Sequence, residues 1–124
     1  MWRQATKYGN RKVTVNGITY DSKKEARRAQ ELEALQAAGE IICLRRQVPF
    51  VLIPAQKEPD RTGPKGGTIK GKTIERAVMY IADFCYEKKT GELIVEDTKG
   101  MRTPEYIIKR KLMLWIHGIK IKEI

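Results

Sequence analysis

The chain has 124 residues, 41% of them hydrophobic, and this length suits one compact domain with its own core. Twenty-five Lys and Arg against fifteen Asp and Glu give a formal net charge of +10, which favours a polyanionic partner such as nucleic acid. No apolar run approaches the roughly twenty residues needed to cross a bilayer, and no apolar signal segment opens the chain. We therefore expect a cytoplasmic protein that does not engage a membrane.

The first elements predicted along the chain are a hairpin and a helix. Asn16-Gly17 separates two β-branched runs and favours a tight hairpin turn, so residues 1–20 are predicted as a basic arm followed by a hairpin. Ser22 with Glu25 three residues later is typical of a helix start, and Gly39 of a helix end. The sequence therefore predicts a helix from Lys23 to about Ala38.

The middle of the chain is predicted as a strand followed by a loop. Residues 41–53 are rich in Ile, Val, Leu and Phe, although Pro49 requires an edge position or an interruption. Residues 55–73 carry several Pro, Gly and charged residues without apolar periodicity, which predicts a mobile basic loop. Cys43 and Cys85 lie in apolar surroundings without a CxxC pair, so we expect two buried free thiols.

The last third of the chain predicts a strand pair, a helix and a final strand. Residues 74–86 and 92–98 are β-branched and aromatic runs joined by a short polar link, which favours an antiparallel pair. Thr103-Pro104 is typical of a helix start, and this helix is expected to reach about Ile116. Alternation over residues 119–124 predicts a half-buried strand. The expected class is α/β in the α+β sense, with a mixed sheet flanked by two helices.

Two aspartates and a lysine form the candidate chemical site. Side chains two apart in a strand share a face, so Asp97 and Lys99 are expected to point the same way. If the link turns near Thr90, residues whose numbers add to about 180 lie opposite one another, which places Asp83 beside Asp97. Two facing carboxylates repel each other unless a cation lies between them, and oxygen ligands suit Mg²⁺. The alternative is that Asp83 and Asp97 are charges at strand ends that simply face water.

Glu25 is a further candidate acid. On a helical projection it lies near Ala29 and Leu32, within the face expected to pack inward. The alternative is capping alone, because Ser22-x-x-Glu25 is a capping box. The residues leave both interpretations open.

An extended set of motifs resembles a known group of nucleases. The element order αβββαβ, with an acid on the first helix, an Asp on the second core strand and Asp-x-Lys on the third, resembles the PD-(D/E)XK superfamily and its restriction-endonuclease-like core. More narrowly, five segments resemble a family of small phage and prophage proteins regarded as Holliday-junction-resolvase-like: Lys7-Tyr-Gly-Asn-Arg-Lys, Tyr20-Asp-Ser-Lys-Lys-Glu-Ala-Arg, Tyr80-Ile-Ala-Asp-Phe, Val95-Glu-Asp-Thr-Lys-Gly and Lys109-Arg-Lys. The usual Pro-Asp is Ala82-Asp83 in this chain.

This resemblance implies a metal-dependent DNA endonuclease. It implies Asp83 and Asp97 as metal ligands, with Glu25 and the backbone carbonyl of Thr98 as further ligands, and Lys99 as the catalytic lysine. The cofactor would be Mg²⁺, with Mn²⁺ able to substitute, and the reaction would be phosphodiester hydrolysis. Branched DNA would be the substrate, in phage recombination or replication inside a bacterial host, and a two-fold symmetric junction would require a homodimer.

Basic residues supply the expected DNA contacts, each of which would steepen the salt dependence of binding. They lie on the first helix, on or before the second helix, and in the loop: Lys23, Lys24, Arg27, Arg28; Arg102, Lys109, Arg110, Lys111; Lys65, Lys70, Lys72. Solvated helix faces are the alternative for each residue.

Two other functions are compatible with parts of the sequence. A basic nucleic-acid-binding protein without catalysis is the main rival, and its DNA binding would survive metal chelation. Residues 66–73 match the phosphate-loop pattern, but no buried strand precedes them and no helix is expected to follow. We therefore expect no nucleotide cofactor.

Overall fold

The structure is a computed structural model, and it describes residues 11–124. Within that range it has two helices, α1 (Lys23–Ala37) and α2 (Pro104–His117). The strands, in chain order, are β1 (Val13–Val15), β2 (Ile18–Tyr20), β3 (Ile41–Ile53), β4 (Gln56–Lys57), β5 (Arg61–Thr62), β6 (Thr68–Ile69), β7 (Thr73–Glu75), β8 (Val78–Lys88), β9 (Leu93–Asp97) and β10 (Lys122–Glu123). In this part of the chain, neither helix is long and apolar enough to cross a bilayer.

The central sheet has four strands in the order β10-β9-β8-β3. β8 runs antiparallel to both of its neighbours, β3 and β9, whereas β10 runs parallel to β9, so the sheet is mixed as predicted. The register of β8 with β9 pairs Phe84 with Glu96 and Tyr86 with Ile94, which confirms the predicted alignment of this hairpin. Only two residues of the predicted last strand, 122–123, are extended and paired.

Both helices begin where their capping residues predict. Ser22 accepts a hydrogen bond from the Glu25 amide at 3.1 Å, and Thr103 accepts one from the Tyr106 amide at 3.1 Å. These side chains satisfy amides that the first helical turn leaves without a partner, and Pro104 needs none. α2 ends at Gly118 in the left-handed conformation, with φ +66°.

Two apolar clusters cover opposite faces of the sheet. One cluster joins α1 and β2 to the sheet through Leu32, Tyr20 and Phe84. The other joins α2 to the sheet through Met113 and Cys85. Phe84 and Cys85 are neighbours in β8, and successive strand residues point to opposite faces, so the helices lie on opposite sides.

Residues 55–73 differ from their prediction. They were predicted as a mobile loop, but β4 pairs with β7 and β5 pairs with β6, and these pairs follow β3 and precede β8 along the chain. The prediction of an irregular segment is therefore wrong. Gly71 is required here, because a Cβ at this position would lie 1.6 Å from the Glu58 carbonyl oxygen. We call residues 54–77 the β-arm.

Three further predictions concern the N-terminal hairpin and the two cysteines. The hairpin predicted around Asn16-Gly17 is confirmed, while residues 1–10 of the predicted arm lie outside the described part of the chain. Cys85 is buried as predicted. The prediction for Cys43 is wrong, because this thiol is exposed where β3 shifts its register after Ile42.

A buried ion pair fixes α1 against the sheet. Arg28 donates to both carboxylate oxygens of Glu96, at 2.8 and 2.7 Å, and the Tyr86 hydroxyl donates to the same carboxylate. Glu96 is fully buried, so its charge depends on these partners for solvation. The hydrogen bonds to Glu96, and to a smaller extent its charge, raise the pKa of the Arg28 guanidinium.

Removing the cation of this pair is expected to destabilise the fold. Arg28→Met leaves the Glu96 carboxylate buried without its counter-charge, so we predict a loss of about 3 kcal/mol in the free energy of unfolding, measured by urea denaturation. Arg27→Met is the control, because Arg27 is an exposed neighbour on the same helix. Equal stability of the two variants would contradict the role assigned to the pair.

Candidate active site

Four elements bring the predicted site residues to one end of the sheet. Asp83 lies within β8, Asp97 is the last residue of β9, and Glu25 lies in the first turn of α1. Lys99 lies in the segment that leads to α2. Together with Asp21, Ser22, Thr98, Gly100, Met101 and Thr103 they line one pocket of about 150 Å³, which we call the acidic pocket.

Asp83 is held by the segment that follows β9. Its Oδ2 atom accepts hydrogen bonds from the amide and the hydroxyl of Thr98, both at 2.8 Å. Because both donors belong to one residue, the carboxylate is fixed relative to the end of β9. Thr98 thus lines the pocket, and the metal-ligand role of its carbonyl stays a prediction.

Asp97 is a buried carboxylate with one free oxygen. Its side chain is 1% exposed, and its Oδ2 atom accepts a hydrogen bond from the Tyr80 hydroxyl at 2.6 Å. Its Oδ1 atom is buried without a hydrogen-bond partner among the described residues, since the Lys99 ammonium lies 3.9 Å away. Burial, with a smaller contribution from the nearby Asp83, raises the pKa of Asp97 to about 6.

Glu25 caps α1 and faces the acidic pocket with the same carboxylate. Its Oε2 atom accepts a hydrogen bond from the Asp21 amide at 3.1 Å, and the Ser22 hydroxyl accepts one from the Glu25 amide. The capping box predicts that Glu25 bonds to the Ser22 amide, whereas in the structure it bonds to the amide of the preceding residue. Its side chain is only 2% exposed, which confirms the inward-facing prediction. Burial, and then the charge of Asp83, raise the pKa of Glu25.

The pocket suits a hard divalent cation held partly by water. A cation stabilises carboxylates that lie close together. It also stabilises a buried carboxylate oxygen that has no hydrogen-bond donor, such as Oδ1 of Asp97. Within residues 11–124, no three His, Cys, Asp or Glu side chains converge closely enough to hold a metal ion by themselves. Mg²⁺ commonly uses one or two carboxylates and keeps several waters, so Asp83 and Asp97 fit this chemistry. The ligand role of Glu25 stays a prediction.

The predicted DNA-contacting residues fall into different environments. Arg28 is part of the ion pair with Glu96, and its assignment to phosphate binding stays a prediction. Arg102 and Arg110 both donate to Glu123, at 2.7 and 3.2 Å, and Lys109 pairs with Glu105 at 3.1 Å. The remaining predicted contacts are exposed: Lys23, Lys24, Arg27, Lys65, Lys70, Lys72 and Lys111.

A larger open groove of about 870 Å³ borders the acidic pocket. It runs between the start of β8 and the N-terminal turns of α2, and Lys99 and Thr103 line both spaces. Lys99 and Lys109 place ammonium groups along it, and the Lys99 ammonium lies 5.0 Å from the ring centre of Tyr106. The acidic pocket is therefore continuous with an open groove along α2.

Sequence reasoning missed two polar residues at this site. Tyr80 holds Asp97, and its place in the Tyr80-Ile-Ala-Asp83 segment was a signal for it. Gln47 donates to the Oε1 atom of Glu25 at 3.1 Å. Nothing in the sequence around Gln47 indicates this contact, because it depends on the packing of β3 beside α1.

Residues 5–121 match the model of a family described as a protein of unknown function (DUF1064). The chain belongs to this family. The matched range includes Glu25, Asp83, Asp97 and Lys99. No curated protein and no solved structure matches the chain. The family description names no activity.

Neutralising Asp97 is expected to stabilise the protein when no divalent cation is present. The pKa of Asp97 is about 6 in the folded protein, whereas its ordinary value is 3.8. Between these two pH values the unfolded chain loses this proton more readily than the folded protein does. The free energy of unfolding therefore falls as the pH rises from about 4 to about 6. At pH 7.5 in EDTA, Asp97→Asn should raise the free energy of unfolding by about 1–3 kcal/mol. Urea denaturation measures the difference. A variant less stable than the wild type would contradict this electrostatic account, and the surface variant Glu33→Gln should change little.

Proposed function

We propose that this protein is a metal-dependent DNA endonuclease of the PD-(D/E)XK type. The observation that carries the proposal is the placement of Asp83, Asp97 and Lys99 around one pocket, with a buried Asp97 oxygen that lacks a hydrogen-bond donor. An acid on the first helix, an aspartate on the second strand of the sheet and Asp-x-Lys on the third support the same assignment. The net charge of +10 supports a polyanionic substrate.

Each side chain has a distinct part in the proposed hydrolysis. A Mg²⁺ or Mn²⁺ ion bound by Asp83 and Asp97 would polarise the phosphate and lower the pKa of a bound water. Lys99 is close enough to stabilise negative charge that develops on the phosphate oxygens. Tyr80 and Thr98 hold the two aspartates in place. The water oxygen bonds to phosphorus, the bond to one sugar oxygen breaks, and that oxygen takes up a proton.

The substrate would be held by the groove beside α2 and by the β-arm. The β-arm consists of two strand pairs and their connections, and most of its residues are exposed. Six of its exposed residues are basic: Lys57, Arg61, Lys65, Lys70, Lys72 and Arg76. A two-stranded ribbon fits the major groove of duplex DNA, and its lysines would contact phosphates. We further propose branched DNA as the substrate and a homodimer as the active form, because a four-way junction has two-fold symmetry.

Cleavage should depend on the acidic pocket and on a divalent cation. Purified protein is incubated with labelled four-way junction, linear duplex and single strand, with Mg²⁺, Mn²⁺ or EDTA. We expect Asp83→Asn, Asp97→Asn and Lys99→Met to lower the cleavage rate by a factor on the order of 10² to 10³, with folding retained by circular dichroism. Glu33→Gln, on the exposed face of α1, is the matched acid control.

Two outcomes of this assay would contradict the proposal. Product formed equally by wild type and Asp97→Asn would indicate a contaminating nuclease. DNA binding that survives EDTA and Asp97→Asn, without any product, would favour the non-catalytic binding protein. The absence of a three-ligand cluster among the described residues is the observation that keeps this second function in view.

The β-arm should account for part of the salt dependence of DNA binding. Replacing Lys65, Lys70 and Lys72 by Ala removes up to three phosphate contacts, which should reduce the slope of log K against log salt by up to about 2.7. The matched control replaces Lys88, Lys89 and Lys120, which removes the same charge elsewhere. Equal slopes for the two triple variants, measured by fluorescence anisotropy, would show that the β-arm does not bind DNA.

A further inference from the structure

Gln47 has an unusual backbone conformation for its residue type. Its φ is +51°, in the left-handed region that residues with a Cβ seldom adopt. The side chain is exposed, so apolar burial does not explain why glutamine occupies this position. Conformations of this kind persist where surrounding contacts hold them, and they concentrate at functional sites.

The register of β3 places Gln47 beside the acidic pocket. Arg46 pairs with Phe84 and Val48 pairs with Ala82, so Gln47 lies opposite Asp83 on the neighbouring strand. From this position its amide nitrogen donates to the Oε1 atom of Glu25 at 3.1 Å. The local backbone thus directs a hydrogen-bond donor from β3 to a carboxylate on α1.

The contact opposes the repulsion between two acids of the pocket. The charge of Asp83 disfavours a nearby Glu25 carboxylate. Gln47 donates to one Glu25 oxygen, the Asp21 amide donates to the other, and the Arg46 guanidinium lies 3.6 Å from Oε1. An ionised carboxylate accepts about four hydrogen bonds, so Glu25 keeps acceptor capacity towards the pocket.

We propose that Gln47 is a positioning residue that orients the Glu25 carboxylate beside a divalent cation bound at Asp83 and Asp97, where Glu25 acts through the water shell of the cation because no three acidic side chains of residues 11–124 converge to bind it directly. This inference rests on the cation site of the proposed function, but it does not require that the protein cuts DNA. Residues that orient the groups around a metal commonly change its affinity by 10- to 100-fold when they are replaced.

The test measures Mn²⁺ affinity by isothermal titration calorimetry. Gln47→Met keeps the length of the side chain but removes the donor, and we expect its Mn²⁺ dissociation constant to rise at least tenfold. Gln36→Met is the matched control, because the Gln36 side chain also joins α1 to β3, accepting from the Leu44 amide at 2.8 Å. Neither glutamine lines the acidic pocket, but Gln47 donates to Glu25, which does, whereas Gln36 bonds to Leu44, which does not.

Stability separates a positioning role from a structural one. Each variant removes one hydrogen bond between α1 and β3, so both should lower the unfolding midpoint by a similar few degrees. Of the two variants, Gln47→Met alone should bind Mn²⁺ more weakly. If the protein cuts DNA, the cleavage rate of Gln47→Met should also be reduced and should return towards the wild-type rate when the Mn²⁺ concentration is raised.

The outcomes distinguish this inference from the proposed nuclease. Weaker Mn²⁺ binding by Gln47→Met in a protein that cuts no DNA would support the inference and overturn the nuclease. Equal affinities for wild type and Gln47→Met would overturn the inference and leave the nuclease standing. A wild-type protein that binds no Mn²⁺ would overturn the cation site and this inference together.

Discussion

The structure depends on how a strongly basic protein accommodates the carboxylates of Glu25, Asp83 and Asp97 around one small pocket. Asp97 and Glu25 are almost completely buried, and this burial, with a smaller contribution from the charge of Asp83, raises the pKa of both. Hydrogen bonds from Tyr80 and Thr98 hold the two aspartates without neutralising them. A cation is the simplest way to balance such an arrangement, since burial makes uncompensated negative charge costly. On the proposed function, the pocket would therefore be more stable with a bound cation than without one.

Most of the remaining structure keeps this pocket in a fixed shape. α1 contributes Glu25 and is joined to the sheet by the Arg28–Glu96 pair, whose carboxylate immediately precedes Asp97 in β9. Adjacent residues of β9 therefore point to opposite faces, one towards the helix anchor and one towards the pocket. Thr103, the residue that caps the N-terminus of α2, lies on the rim of the pocket. Anchor and site are consequently parts of one rigid arrangement.

Local signals predicted the elements, while tertiary contacts decided the roles of individual residues. Ser22 and Thr103 fixed the helix starts, and the short link after Lys88 fixed the register that places Asp83 near Asp97. The β-arm was missed because its strands are two or three residues long and have no buried face, so they leave no apolar period. The ion pair of Arg28 was missed because a helical arginine gives no sign that Glu96 lies buried beneath it.

The most direct measurement is a crystal structure of the protein grown with Mn²⁺, with anomalous scattering recorded to locate the ion. The account predicts an anomalous peak in the acidic pocket within about 2.5 Å of one oxygen of Asp83 and of the Oδ1 atom of Asp97, with waters completing the shell. A pocket without a peak at saturating Mn²⁺, with the Lys99 ammonium moved in between the two carboxylates, would contradict it.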